Sequence, residues 1–247
     1  MKVFTATLLL LLISTDITFG KDRNTSLFEA GNTAFHDGRF GQALTNYQAQ
    51  INEGAVSAPL HFNLATAAFY DGQLGGAIFH YRQAYSLDPR DENIRHNLKL
   101  ARDEVHNGSP PKPGLWERLT GFFTLNEWTL FATTPLTIWL IWLTAINLLP
   151  QWQKRGAIMR PLLGGTAIIL TLIAFFTWHN QTSHKWGVIN GETVARFGPV
   201  KASPDQFKWF DGAEVKINRI HGEWLLVQDI TDRQGWVHSA SVLRPDS

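Results

Sequence analysis

Two long apolar runs, Trp128–Leu149 and Pro161–Trp178, divide the chain into a segment before them, a hairpin and a segment after them. The first run carries no charged residue, and the second spans roughly 27 Å as a helix at about 1.5 Å rise per residue. Neither has the polar face of a soluble core helix, so both are predicted to be transmembrane helices. Trp128, Trp152 and Trp178 stand at the run ends, where amphipathic rings prefer the headgroup level. The intervening loop, residues 151–160, contains Lys154, Arg155 and Arg160 and no acid. The positive-inside rule places that loop in the cytoplasm and both flanking regions across the membrane. Pro135 is expected to kink the first span, and Gly164-Gly165 to let the two spans pack closely.

The N-terminal part opens with Lys2, continues through the apolar Leu8–Ile13 and ends in small residues, Thr18 and Gly20. This is the pattern of a secretory signal peptide over residues 1–20, with cleavage expected before Lys21; an uncleaved anchor is the alternative. From Asn24 the pattern repeats at a 34-residue offset: Phe35-His36-Asp37-Gly38-Arg39-Phe40 returns as Phe69-Tyr70-Asp71-Gly72-Gln73-Leu74. The period and its internal order resemble the tetratricopeptide repeat, with units at 24–57 and 58–91. Ala43 and Ala77 fill its small-residue slot, Tyr47 and Tyr81 its aromatic slot, and Pro89 closes the second unit. Leu27 and His61 stand where the pattern has Trp, and Ala34 and Ala68 where it has Tyr. Ser26 with Glu29 reads as a capping box opening the first helix, and Ser57 with Pro59 opens the third. Asp37-Gly38 and Asp71-Gly72 supply turns. Two units cannot bury their own end faces, so Asp91–Val105 is expected to cap them, with Ile94, Leu98, Ala101 and Val105 on one stripe.

The resemblance implies a concave groove lined by the first helix of each pair. Mapped onto this sequence, it takes in Phe28, Asn32, Phe35, Phe62, Asn63, Thr66, Phe69 and Asn97. Such a groove is aromatic and nearly uncharged, so it lacks the basic clamp with which related repeats hold acidic C-terminal tails. Each Phe is also a candidate for packing between helices, and each Asn for holding neighbouring backbone.

Asn107–Gly114 is rich in Pro and reads as a stiff extended linker. Leu115, Trp116, Leu119, Phe122 and Phe123 follow at helical spacing, giving an expected interfacial helix that completes residues 107–127. Beyond His184 the pattern becomes short alternating runs: Lys185–Ile189, Thr193–Phe197, Glu214–Ile220, Glu223–Asp229 and Trp236–Val237. Asp211-Gly212 and His221-Gly222 mark tight turns. Five strands in this length predict a small barrel over 184–247. The order Arg196-Phe197-Gly198-Pro199, Asp211-Gly212-Ala213-Glu214-Val215, Gly222-Glu223-Trp224 and Gly235-Trp236-Val237 resembles a bacterial SH3-like domain. Trp224 and Trp236 are expected to fill so small a core, with a ligand-binding surface as the alternative. The fold class is thus a multidomain membrane protein: α-helical tetratricopeptide repeats, a two-helix transmembrane hairpin and a small all-β SH3-like barrel.

Composition alters this picture little. A net charge of +1 gives no reason to expect nucleic acid or acidic substrates. The absence of cysteine excludes disulfides, thiol catalysis and zinc–thiolate sites. No Gly-x-Ser-x-Gly, His-Glu-x-x-His or phosphate-cradling Gly-rich loop occurs, and the nine histidines are dispersed. No enzyme, cofactor or metal is expected.

The order of signal peptide, two repeats with a capping helix, two spans and a C-terminal SH3-like barrel, together with Arg95-His96-Asn97-Leu98 after the repeats, resembles the BatE family of Bacteroides aerotolerance operons. The resemblance implies a periplasmic scaffold tethered to the inner membrane. Its implied partners are von Willebrand factor A-type Bat membrane proteins and a MoxR-type AAA+ ATPase, in addition to the lipid bilayer. Peptidoglycan held by the barrel is the alternative.

Overall fold

Glycines in the left-handed region punctuate the helical part: Gly38 (φ 74°) and Gly72 (φ 79°) end the first helix of each pair. The computed structural model describes residues 18–106, 121–148, 153–183 and 186–245. Five helices come first: α1 (Thr18–His36), α2 (Phe40–Asn52), α3 (Ala58–Tyr70), α4 (Leu74–Leu87) and α5 (Glu92–His106). Ser57 caps α3, accepting the Leu60 N–H at 3.3 Å. Asp91 caps α5, accepting from the N–H groups of Asn93 (2.7 Å) and Ile94 (3.2 Å). The Ser26 capping box is not used: α1 begins at Thr18, and Ser26 lies exposed within it. A cap satisfies the orphan N–H groups of a helix start, and at Ser26 the helix continues upstream instead. The leader's apolar run, the Pro-rich linker and residues 115–120 of the expected interfacial helix lie outside the described residues.

The small slots set how closely the helices approach. Ala43 and Ala77 are fully buried, with Tyr47 and Tyr81 beside them. Gly31 faces the Tyr47 ring, where an added β-carbon would lie 2.7 Å from Cδ1, so no side chain fits there. One core cluster joins α1, α2 and α3 through Ala34, Tyr47, Leu60 and Leu64; a second joins α3, α4 and α5 through Ala65, Ile78, Tyr81 and Leu98.

Two long helices follow, α6 (Leu125–Leu148) and α7 (Gln153–Ser183), and they pack on each other. Both are long and apolar enough to cross a membrane over Asn126–Ala145 and Pro161–Trp178, and no residue of the first stretch is buried. A β-carbon on Gly164 would sit 3.0 Å from the Trp139 indole, so this glycine permits the close approach, whereas Gly165 faces open space. α6 continues through Pro135. The expected loop over 151–160 is mostly helix, because α7 already begins at Gln153. Gln, Lys, Arg, Ala and Met are good helix formers, so the helix outruns the apolar stretch that a hydropathy reading detects.

Seven strands complete the fold: β1 (Trp186–Ile189), β2 (Thr193–Arg196), β3 (Asp205–Trp209), β4 (Glu214–His221), β5 (Trp224–Asp229), β6 (Gln234–His238) and β7 (Val242–Leu243). They form one antiparallel sheet in the order β3-β2-β6-β5-β4-β1-β7. Trp209 from one edge strand and Val242 from the other share a core with Leu225, Val227 and Val237, so the sheet curls around it. Two of the seven strands, β3 and β7, are additional to the five expected from sequence. β7 is too short to show alternation, and β3 follows Pro204 as an edge strand whose pattern has only Phe207 and Trp209 to mark it. The expectation that Trp224 and Trp236 fill the core is corrected as well: neither belongs to it, and the buried indole is Trp209, 1% exposed.

Candidate interaction surfaces

The residues expected in the groove lie on α1, α3 and α5, and most of them hold the helices together. Phe28 packs on Tyr47 at a centroid distance of 5.9 Å and Phe62 on Tyr81 at 5.7 Å. Phe35 meets Phe40 and Tyr70 at 5.4 and 5.8 Å, and Phe69 lies 6.0 Å from Tyr70. All four phenylalanines are half-buried. Asn32 Oδ1 accepts from the Tyr47 hydroxyl (2.8 Å) and from Asn63 Nδ2 (3.1 Å), tying α1 to α2 and α3. The Thr66 hydroxyl donates to the Phe62 carbonyl at 2.8 Å and lies 3.0 Å from the Tyr81 hydroxyl. Burial pushes the Tyr81 phenol up to about 12, so it stays protonated within this pair. Asn97 Nδ2 donates to the Asn93 carbonyl at 3.0 Å, apart from the others. Four large apolar side chains of the described repeat region outside the predicted set are exposed: Val56, Leu87, Tyr70, which still stacks on Phe40, and Leu100, off the buried stripe of α5.

Alanine at the close approach, the aromatic residue four positions later and the paired helices all sit in one unit. Residues 58–91 match the family model of the tetratricopeptide repeat. This repeat comprises α3 and α4, and the preceding unit, α1 and α2, repeats its helix order and its buried Ala and Tyr. Tetratricopeptide repeats are protein-interaction modules, and the N-terminal part of the chain is accordingly a scaffold for binding protein. No curated protein matches the chain.

The surface that sequence reasoning missed is the junction between the repeats and the sheet. Arg102 of α5 donates to both oxygens of Glu214, Nε to Oε1 at 2.5 Å and a terminal nitrogen to Oε2 at 2.9 Å. Arg82 of α4 adds a bond to Oε2 at 2.8 Å, and its guanidinium lies 3.6 Å above the Trp186 ring. Trp186 also packs on Phe79, and Val188 is wholly buried within the cluster of α3, α4 and α5. Backbone approaches this closely only where glycine permits: a β-carbon on Gly212 would lie 2.5 Å from Val105 Cγ2, and one on Gly75 would run into the Ile189 carbonyl and the Asp211 carboxylate. α5 follows the second pair and is the last helix described in the repeat region. The sheet packs on α4 and α5, covering an end face that the repeats alone leave bare. A sequence signal existed in part, since the bare end face was predictable, but nothing local links Arg82, Arg102 and Glu214.

The outer face of the sheet carries Trp224 and Trp236. Trp224 stands opposite His238 with rings 5.7 Å apart, and His221 approaches Trp236 at 6.4 Å. Both indoles are half-buried, with one surface towards solvent.

Packed between α3 and α4 is a stacked histidine pair, His61 buried and His80 half-buried. His61 and His80 lie with Nδ1 atoms 3.2 Å apart and rings nearly parallel. Burial holds the His61 imidazole below its ordinary value; burial and the neighbouring His61 push His80 down to about 3. Both rings are therefore neutral, one Nδ1 donating and the other accepting. Among the described residues no group of three or more His, Cys, Asp or Glu gathers in a way that could hold a metal.

Proposed function

We propose that this chain is a membrane-tethered periplasmic scaffold of the BatE type, holding partner proteins through its tetratricopeptide repeats. The observation that carries the reading is the outward face of the helical pair. Leu130, Ile141, Leu162 and Leu172 are each more than 60% exposed, on two helices that a soluble protein would have to cover. Threonines on the pair fit a lipid surrounding: Thr133, Thr137, Thr144, Thr171 and Thr177 each return their hydroxyl to the carbonyl four residues back. The docking of the sheet on α4 and α5 supports a same-side arrangement, because the segments before α6 and after α7 touch each other. With Lys154, Arg155 and Arg160 in the first turns of α7, at the other end of the pair, the positive-inside rule favours the periplasm for both modules. Tethering supplies the mechanism: confinement to a membrane plane raises effective concentration, so weak groove contacts suffice. Partners of the expected type are von Willebrand factor A-type membrane proteins working with a MoxR-type ATPase. Purification in mild detergent should recover such a membrane protein, and Tyr70→Asp with Leu100→Asp should lose it while the repeats stay folded. A reporter fused after Ser247 that is active only inside the cell would overturn the topology.

A second reading, that the sheet holds peptidoglycan, is favoured by one observation: Trp224 and Trp236 face outward as flat apolar plates rather than filling the core. Sedimentation of the full detergent-solubilised chain with purified wall material, lost in a Trp224→Ala, Trp236→Ala variant, would support it.

A further inference from the structure

We infer that α4 is a bracket, a single helix that fixes the neighbouring ends of both apolar helices relative to each other. The inference rests on contacts outside the apolar surfaces and holds whether the hairpin sits in a bilayer or a micelle, so it stands independently of the membrane reading.

One end is gripped through the sheet. α7 runs to Ser183 and β1 starts at Trp186, so only two residues separate the long helix from the strand. Trp186 is clamped between Phe79 and Arg82 of α4, and Arg82 is held in turn by Glu214. The other end is gripped directly. The Tyr85 hydroxyl of α4 donates to the Gly121 carbonyl at 3.4 Å, three residues before Thr124, which opens α6. Arg90, just beyond the end of α4, forms an ion pair with Glu127 in the first turn of α6 and lies 5.8 Å from the Phe122 ring. Glu127 is itself fixed, because its carboxylate accepts the Thr124 N–H at 2.9 Å while its own N–H donates to Thr124 Oγ1 at 3.3 Å, a complete capping box.

Phe79, Arg82 and Tyr85 recur every three residues, so they lie along one flank of α4. That flank therefore meets the exit of α7 at its middle and the entry of α6 at its end. The adjoining stripe backs α3 through Tyr81 and Ala77, so the helix that carries the repeat's first helix also sets the spacing and rotation of the hairpin ends. The hairpin alone would be held by contacts along its length; the bracket adds a fixed boundary at one end.

The chain has no cysteine, so Leu130→Cys and Phe176→Cys, both exposed and near the bracketed ends, give one clean pair of spin labels in the full-length protein. A second pair at Glu29 and Arg95, exposed on α1 and α5, reports on the repeats. Dipolar spectroscopy should give a narrow distance distribution for the hairpin pair. Arg90→Gln or Trp186→Ala should broaden it and the two together more so, with the repeat pair unchanged. An unbroadened hairpin pair in the combined variant overturns the bracket. Should Trp186→Ala also disturb the repeat pair, Arg90→Gln decides, since Arg90 is nearly half exposed and its loss leaves the core intact: no broadening there overturns the bracket equally.

Discussion

Arg102 and Glu214, 112 residues apart, meet in a two-bond fork that pins the sheet to the last helix of the repeats. The carboxylate is 15% exposed and is shared with Arg82, so two guanidinium groups converge on one acceptor. Fork geometry of this kind is stronger than a point-charge contact, and its partial burial shields it from salt. Because it joins two modules, its loss is expected to alter how they unfold as well as how stable they are.

Glu214→Ala should lower stability by about 2–3 kcal/mol, since both arginines lose a charged partner in a largely buried site. Calorimetry of the detergent-solubilised chain should show the repeats and the sheet unfolding in one transition in the parent and in two in the variant. A single unshifted transition would refute the coupling.

Adjacent glycines at the start of α4 should respond in opposite senses. Gly75→Ala places a β-carbon against the Ile189 carbonyl and 3.2 Å from Asn190 Cα, and should destabilise the junction. Gly76→Ala meets Ala68 Cβ at an ordinary 3.6 Å and the Gln73 side chain at 3.9 Å, and should gain about 0.5–1 kcal/mol from helix propensity. Denaturant midpoints of the two variants, measured side by side, check the sign of each.

Acid should weaken the repeats through the histidine pair. His80 titrates near 3 in the fold and near its ordinary 6.5 once unfolded. Above 6.5 neither state binds the proton and the native preference for the neutral ring is fully present; as pH falls from 6.5 towards 3, the unfolded state takes it up and stability is lost. The slope approaches about 1.4 kcal/mol per pH unit for this one site. His61, also shifted down by burial, adds in the same sense. His80→Phe should flatten the dependence of the urea midpoint between pH 6 and pH 4; parallel curves for parent and variant would rule this out.

Within the sheet, Trp209→Ala should cost about 3–5 kcal/mol, the range for emptying a buried aromatic site, and it also removes the indole N–H bond to Asp229 at 3.3 Å. Trp224→Ala, on the outer face, should cost well under half as much by the same argument. Thermal melts of the two variants separate core from surface.

Features set by local chemistry were legible in the sequence. The 34-residue period placed Ala43, Ala77, Tyr47 and Tyr81 correctly at the buried approaches, and the Asp-Gly pairs at the turns. Apolar length located α6 and α7, though not their ends, because helix propensity at Gln153–Arg160 and beyond Trp178 is independent of hydropathy. Errors arose where the answer lay in tertiary context. Trp224, Trp236 and Trp209 are chemically identical, and only the register of the curled sheet assigns Trp209 inward. The groove phenylalanines look available in a linear mapping, yet Phe28, Phe35 and Phe62 each meet a tyrosine from a neighbouring helix, and Phe69 meets Tyr70 of its own. The Arg82–Glu214–Arg102 junction had no sequence signal, since its members come from three elements and obey no common period.

The seam between Gly75, Ile78, Val105 and the sheet has a consequence for biogenesis. Ribosomes make residues 74–106 well before residues 186–243, and the whole hairpin is synthesised in between. A half-finished chain must therefore carry the unclosed flank of α4 and α5, with Ile78 and Val105 bare, until the last quarter of the polypeptide emerges and shuts it. Such an intermediate is a natural client for a holding chaperone and a natural point for clearance when translation stalls.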